Sequence, residues 1–299
     1  MSVQKSLSPQ ALGELLLLSL IWGASFLAIR IALDEITPLT VVAHRCGWAM
    51  LLLWTYVLLR RFPIPLDLKT WAAFLGMGLL NNVIPFGLIA WGQLYVETGL
   101  AAIFNASTAI FGVLVAALVF ADEKLTRRKI IGVALGFSGV VLAIGPEALK
   151  GFNITSLGQL AIVAATFSYA CAGAWARKFM SHVRPEVAAA GMLTGASIVA
   201  IPLAWWVDGP ISLNLIPETW AAIAYYAVFA TAGAYLLYYR VLAMAGSGNL
   251  MLCTLLLVPV AIVLGAIVRA EALPASAYGG FALLALGLLI LTGRLLRRL

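Results

Sequence analysis

Thr70-Trp71-Ala72-Ala73 returns as Thr219-Trp220-Ala221-Ala222, and with it the chain repeats itself at a spacing of about 148 residues. Glu123, Gly132, Gly139 and Gly145 return as Glu271, Gly280, Gly287 and Gly293, while Arg30 and Pro38 return as Arg177 and Pro185. Each copy has room for five hydrophobic spans. An odd number turns the second copy over, so the two halves are expected to lie inverted in a membrane. Inverted repeats of this kind characterise transporters that alternate their access.

Composition supports the membrane. The chain is 63% hydrophobic and 10% charged, whereas soluble domains carry about 25% charged residues. Crossing the hydrocarbon core takes roughly 20 apolar residues. Suitable windows lie near 11–30, 38–60, 70–93, 98–120, 127–145, 157–177, 185–207, 218–240, 247–268 and 275–294. The reading is an all-α polytopic membrane protein with ten transmembrane helices. It forms one domain, 1–299, with a first repeat at 11–145 and an inverted second repeat at 157–294. With the N-terminus inside, fifteen Lys and Arg fall in inner segments. Only Arg30, Lys150 and Arg269 fall outside. Lys and Arg collect on the cytoplasmic side, which places both termini there. The net charge of +7 is spread over short loops and the terminal segments that carry Lys5, Arg297 and Arg298. That pattern suits anionic lipid headgroups better than nucleic acid. The first segment, after Lys5, is read as an uncleaved span.

All twelve acids sit at span ends or in loops. Ionisable groups at the bilayer centre mark ion and proton pathways, so neither an acidic proton relay nor a carboxylate sodium site is expected. Aspartate clusters for magnesium diphosphate and HExxH helices are missing, which argues against membrane enzymes. His44 and His182 are the two histidines, and no nucleophile motif accompanies them. The reading is a non-enzyme with no cofactor and no metal. Cys46, Cys171 and Cys253 all lie in spans without disulfide or metal spacing.

A candidate site assembles around the third span. Asn81 and Asn82 lie at its midpoint, followed by Pro85, which lacks a backbone donor and should free the carbonyl of Asn81 four residues earlier. Freed backbone at membrane depth is tolerated beside protein or a watery cavity. Both asparagines are read as cavity-lining, with interhelical bonding as the alternative. Trp22 and its repeat counterpart Tyr169 occupy midplane positions away from the interfacial belts. Tyr235, Asn105 and Thr108 complete a mixed pocket, and His44 is placed facing it. Arg45 is read as snorkelling to headgroups, and Tyr238 and Tyr239 as belt residues. Glu123 and Glu271 are read as caps for the fifth and tenth helices. Gly132, Gly136, Gly139, Gly280 and Gly287 let helices approach closely, within the chain or across a dimer. Pro85 corresponds to Ala234 and Pro259 to Phe111, so a symmetric cavity is not expected.

These residues resemble the drug/metabolite transporter superfamily, specifically its EamA-type ten-helix members, over essentially the whole chain. The resemblance rests on Trp22-Gly23-Ala24-Ser25-Phe26, on Pro38 leading to Arg45, on the acids Glu123 and Glu271, and on the paired glycines. Within that superfamily the chain is similar to YddG-type exporters of aromatic amino acids. The resemblance implies a basket in which helices one to four and six to nine enclose a cavity, with efflux across a bacterial inner membrane. Amides and hydroxyls suit a zwitterion, and aromatic walls suit an apolar side chain. The expected function is export of aromatic and other neutral amino acids and related metabolites by a facilitator, monomer or homodimer. The alternatives are efflux of aromatic cations and a channel or scaffold without a transport cycle.

Overall fold

The computed structural model describes residues 8–145 and 154–295; Lys5, Lys150, Arg297 and Arg298, which enter the charge asymmetry, lie outside them. The described chain is helical, without strands. The first half supplies α1 (Pro9–Ala32), α2 (Pro38–Leu59), α3 (Leu68–Gly92), α4 (Thr98–Val119) and α5 (Arg127–Ile144). The second supplies α6 (Ile154–Phe179), α7 (Pro185–Asp208), α8 (Pro217–Ala245), α9 (Cys253–Arg269) and α10 (Ala275–Leu291). Seven of these are long and apolar enough to cross a membrane. The others are α5, which opens on Arg127, Arg128 and Lys129, and the shorter apolar α9 and α10.

Local chemistry sets the starts. Pro9, Pro38, Pro185 and Pro217 occupy first turns, where a missing N–H costs nothing. Ser8 Oγ accepts from the Ala11 N–H at 3.1 Å and Asp67 Oδ1 from that of Thr70 at 2.8 Å. The α5 cap is Thr126, whose Oγ1 accepts from the Lys129 N–H at 3.3 Å. Capping of α5 by Glu123 is therefore not observed, because the hydroxyl already holds that position.

The helices pair as if the halves could be exchanged. α1 packs on α9 as α6 packs on α4, and α3 packs on α6 as α8 packs on α1. Across the middle, α2 meets α7, α4 meets α9 and α5 meets α10. The last contact is made backbone to backbone. A Cβ on Gly132 would fall 2.8 Å from the carbonyl oxygen of Gly287, and one on Gly139 would fall 2.6 Å from that of Gly280. The reverse additions, on Gly287 and Gly280, would each meet the partner's carbonyl at 2.6 Å. The glycine faces thus close on each other within one chain. A Cβ on Gly136 would meet Ile110 of α4, while its backbone nitrogen lies against Gly287 in the seam. Outside, Leu20, Leu118, Ile198, Trp206 and Ile267 stand exposed, a surface that suits lipid and not water.

Candidate functional site

The third helix of each half is distorted at the same place. α3 widens into a π-helical turn at Leu79–Val83, and α8 does so at Tyr225–Gly233. Such turns recur at functional sites. Only α3 has a proline there, so this bend is shared where the residues differ. The π register also moves the freed carbonyl. The Ile84 N–H reaches back five residues to Leu79, so the group that Pro85 fails to serve is the carbonyl of Leu80, not that of Asn81. Ser168 Oγ of α6 donates to it at 2.7 Å. In α8 the carbonyl of Ala230 is likewise served from the neighbouring helix, by Trp22 Nε1 at 3.0 Å. Each half's first helix thus satisfies a carbonyl in the other half's distorted turn.

Between the halves lies a cavity of about 580 Å³. It reaches one face of the bundle at Phe120, Arg177, Leu242 and Leu250 and stops toward the other at Ile29, Arg45 and Ile89. Trp22, Asn81, Asn105, Thr108, Tyr169 and Tyr235, all singled out in the sequence, line it. Asn82 does not; it is fully buried behind the wall. Both asparagine amides nevertheless converge on one atom. Asn81 Nδ2 donates to the Tyr235 hydroxyl at 3.1 Å and Asn82 Nδ2 at 3.0 Å. The Tyr235 oxygen accepts twice and keeps its own proton to donate. α4 breaks between Asn105 and Thr108, where the Thr108 and Ser107 hydroxyls donate to the carbonyls of Asn105 and Phe104, each at 2.7 Å.

His44 is not part of the cavity. It is buried in α2, where its Nδ1 accepts from Trp48 Nε1 at 3.2 Å, and its ring meets that of Trp220 edge-on. Consecutive helical residues point about 100° apart, so only one of His44 and Arg45 can face inward. Arg45 does. It is 7% exposed and lines the cavity near its closed end. Its Nε donates to Thr231 Oγ1 at 2.9 Å, and Thr231 in turn donates to the Tyr226 carbonyl in the π turn of α8 at 2.7 Å. The guanidinium carbon lies 3.8 Å from the Phe86 ring centre. Arg45 therefore does not snorkel to the headgroups. Tyr238 and Tyr239 also line the cavity, with Tyr238 against Trp22, so they are not belt residues. Their closeness to a helix end suggested a belt, but their helix face decides.

The two ends differ. At the closed end the Glu271 carboxylate accepts from the Thr98 N–H at 2.9 Å and from the Thr98 hydroxyl at 2.8 Å. It caps α4 and not α10. Gly265 makes room for it, since a Cβ there would sit 2.3 Å from Glu271 Oε2. Glu97, one residue before that helix, has its carboxyl pushed upward by burial and then by the nearby Glu271 charge. Gln93 Nε2 donates to the Phe26 carbonyl at 2.9 Å, and Arg269 pairs with Asp34 at 2.6 Å. At the open face Glu123, the repeat counterpart of Glu271, caps nothing and is held by Lys129 at 2.9 Å and by Arg177 at 3.5 Å.

Residues 11–145 and 156–293 each match the model of the EamA-like transporter family. A "Probable amino-acid metabolite efflux pump" of Escherichia coli (strain K12) is 29% identical over 174 residues, 58% of this chain and 55% of that one. The match thus spans little more than half of that relative's length. An "Uncharacterized transporter" of Archaeoglobus fulgidus is 24% identical over 276 residues, 90% of this chain and 94% of its own. A solved crystal structure shares the fold with a TM-score of 0.67 at 18% identity, covering 96% of this chain and 98% of the other.

Proposed function

The chain belongs to the EamA-like transporter family, and from that premise we propose that it exports amino acids and related small metabolites across a bacterial inner membrane. Aromatic and other neutral amino acids are among its cargo. Its two five-helix halves form one membrane domain, inverted with respect to each other, with both termini in the cytoplasm. On that orientation the open face is cytoplasmic and the conformation is ready to load. The observation that carries this reading is a cavity between two repeated halves, closed at one end and walled by Trp22, Tyr169 and Tyr235 beside amides and hydroxyls. Aromatic faces take up apolar side chains, while the amides and hydroxyls offer dipoles to the charged ends of a zwitterion.

Opening at one end while sealed at the other is the state that alternating access requires. The closed end is held by polar contacts at Thr98, Asp34 and Phe26, which a rocking motion can exchange for others at the mouth. Among the described residues no acid lines the cavity, which favours a facilitator over a proton-coupled pump and disfavours aromatic cations as cargo. The deciding experiment is counterflow in liposomes over the twenty amino acids. Saturable exchange of phenylalanine, weakened by Trp22→Ala and by Asn81→Ala, is expected. Flux that neither saturates nor exchanges would mean a channel, and the export reading would fall.

A further inference from the structure

The chemistry of the cavity is one-sided. Arg45 is buried, faces the cavity and has no acidic partner among the described residues. Its Nε is bonded to Thr231. Its two terminal nitrogens bond to no described group, yet neither is sealed from the cavity. The guanidinium carbon lies over the Phe86 ring at 3.8 Å from its centre, and the two terminal nitrogens of a planar guanidinium form a fork that can receive a carboxylate with two parallel bonds. Arg177, the other lining cation, is already held by Asp122 and Glu123 at the mouth. Nothing comparable awaits a cation. The oxygens within the cavity are neutral hydroxyls and amides such as Thr108, Thr254 and Asn105; the threonine hydroxyls donate into their own helices, and their remaining lone pairs offer an ammonium group neutral acceptors but no countercharge.

We propose that Arg45 is the carboxylate anchor of the cavity and that the α-amino group of a substrate is dispensable. The transported class is then aryl and alkyl monocarboxylates, with amino acids as its members that happen to carry an amine. The 2-oxo acids and the desamino acids of the same side chain are substrates of equal standing. An isolated buried cation is unfavourable unless paired, and a carboxylate relieves that cost while an ammonium group adds to it. This inference rests on the export reading for its setting, but its test separates the two.

The probes are L-phenylalanine, phenylpyruvate, 3-phenylpropionate and 2-phenylethylamine, as competitors of labelled phenylalanine counterflow in liposomes. The two acids should compete within about threefold of phenylalanine, and the amine should be weaker by about tenfold or more, the scale of a hydrogen bond to a charged group. R45Q should weaken all three carboxylates by about tenfold or more, and R45K by less, because a fork is replaced by a point charge. Thr231→Val removes the strut to Arg45 without removing the guanidinium, so it should spare acid competition relative to R45Q. An amine that competes as well as the acids overturns the anchor, and does so on the unmodified protein even if R45Q fails to fold. R45Q competition equal to wild type, or T231V loss equal to that of R45Q, overturns it as well. If no amino acid exchanges at all, quenching of Trp fluorescence by 3-phenylpropionate in detergent decides. Binding lost in R45Q keeps the anchor while export falls; binding unaltered in R45Q removes the anchor.

Discussion

Replacing Ser168 by alanine should destabilise the protein, and replacing Pro85 as well should restore part of what was lost. The Leu80 carbonyl lies within the span of α3 and takes its bond from Ser168 Oγ at 2.7 Å because position 85 has no N–H to give. Without Ser168 the carbonyl is left bare in a water-poor setting, a cost of about 1–3 kcal/mol. Pro85→Ala supplies a backbone N–H five residues on, in register with Leu80 in the π turn. If the turn instead relaxes to α, the Ile84 N–H serves Leu80. Either way the carbonyl regains a donor. On its own, Pro85→Ala should cost about 0.4–1 kcal/mol through the freer unfolded chain. The double variant should therefore be more stable than the two single effects predict, by about 1 kcal/mol or more. Reversible unfolding in mixed detergent and dodecyl sulfate measures the cycle. Strict additivity would show that Ser168 and Pro85 do not share the Leu80 carbonyl, and the π-register assignment would be wrong.

Four further outcomes can be checked directly. Gly139→Ala drives a methyl into the Gly280 carbonyl and should cost about 1–3 kcal/mol in unfolding, while Gly173→Ala, with nothing within 4 Å, should be neutral or slightly stabilising. Glu271→Ala removes both acceptors from Thr98; at about 1.5–3 kcal/mol for each bond to a charged group, it should shift the population toward opening at that end, seen as faster maleimide labelling of Thr108→Cys from the Arg269 face. Gly265→Ala should act the same way by displacing that carboxylate. Tyr235→Phe strips the acceptor from Asn81 and from the buried Asn82 and should cost about 2 kcal/mol, with a higher KM for exchange. The Asp67 carboxyl is held below its ordinary range by hydrogen bonds from Thr70, so its capping contribution is present near neutrality and is lost as pH falls through that lowered value; Asp67→Asn should flatten the acid limb of the melting profile.

The scaffold was legible in the sequence because it depends on residue type alone. Glycine has one use where backbones touch, so Gly132, Gly139, Gly280 and Gly287 marked faces of close approach from their spacing; that the two faces meet each other within one chain comes from the structure. Trp22, Tyr169 and Tyr235 could be placed in the cavity because polar aromatics at the midplane have few other roles. Rotation about the helix axis was not legible. Apart from His44 and Arg45, α2 carries only weakly polar residues such as Thr40 and Thr55 near its ends, so nothing in its pattern says which of the two turns inward; that is set by Thr231 and Phe86 on other helices. The same blindness sent Tyr238 and Tyr239 to the belt. Backbone register was hidden too. Whether a carbonyl is freed four or five residues before a proline depends on which neighbour can serve it, and Ser168 comes from the other half of the chain.

The seam between α5 and α10 has a practical meaning. Contacts made through long side chains can slide from one rotamer to another, but at Gly132 on Gly287 and Gly139 on Gly280 the main chains themselves touch, so sliding one helix along the other would drive backbone into backbone. The seam should hold a constant length through the whole working cycle. Spectroscopic labels on the outward sides of these two helices would therefore serve as a built-in ruler. Any change seen between Phe120 and Leu250 can be measured against it.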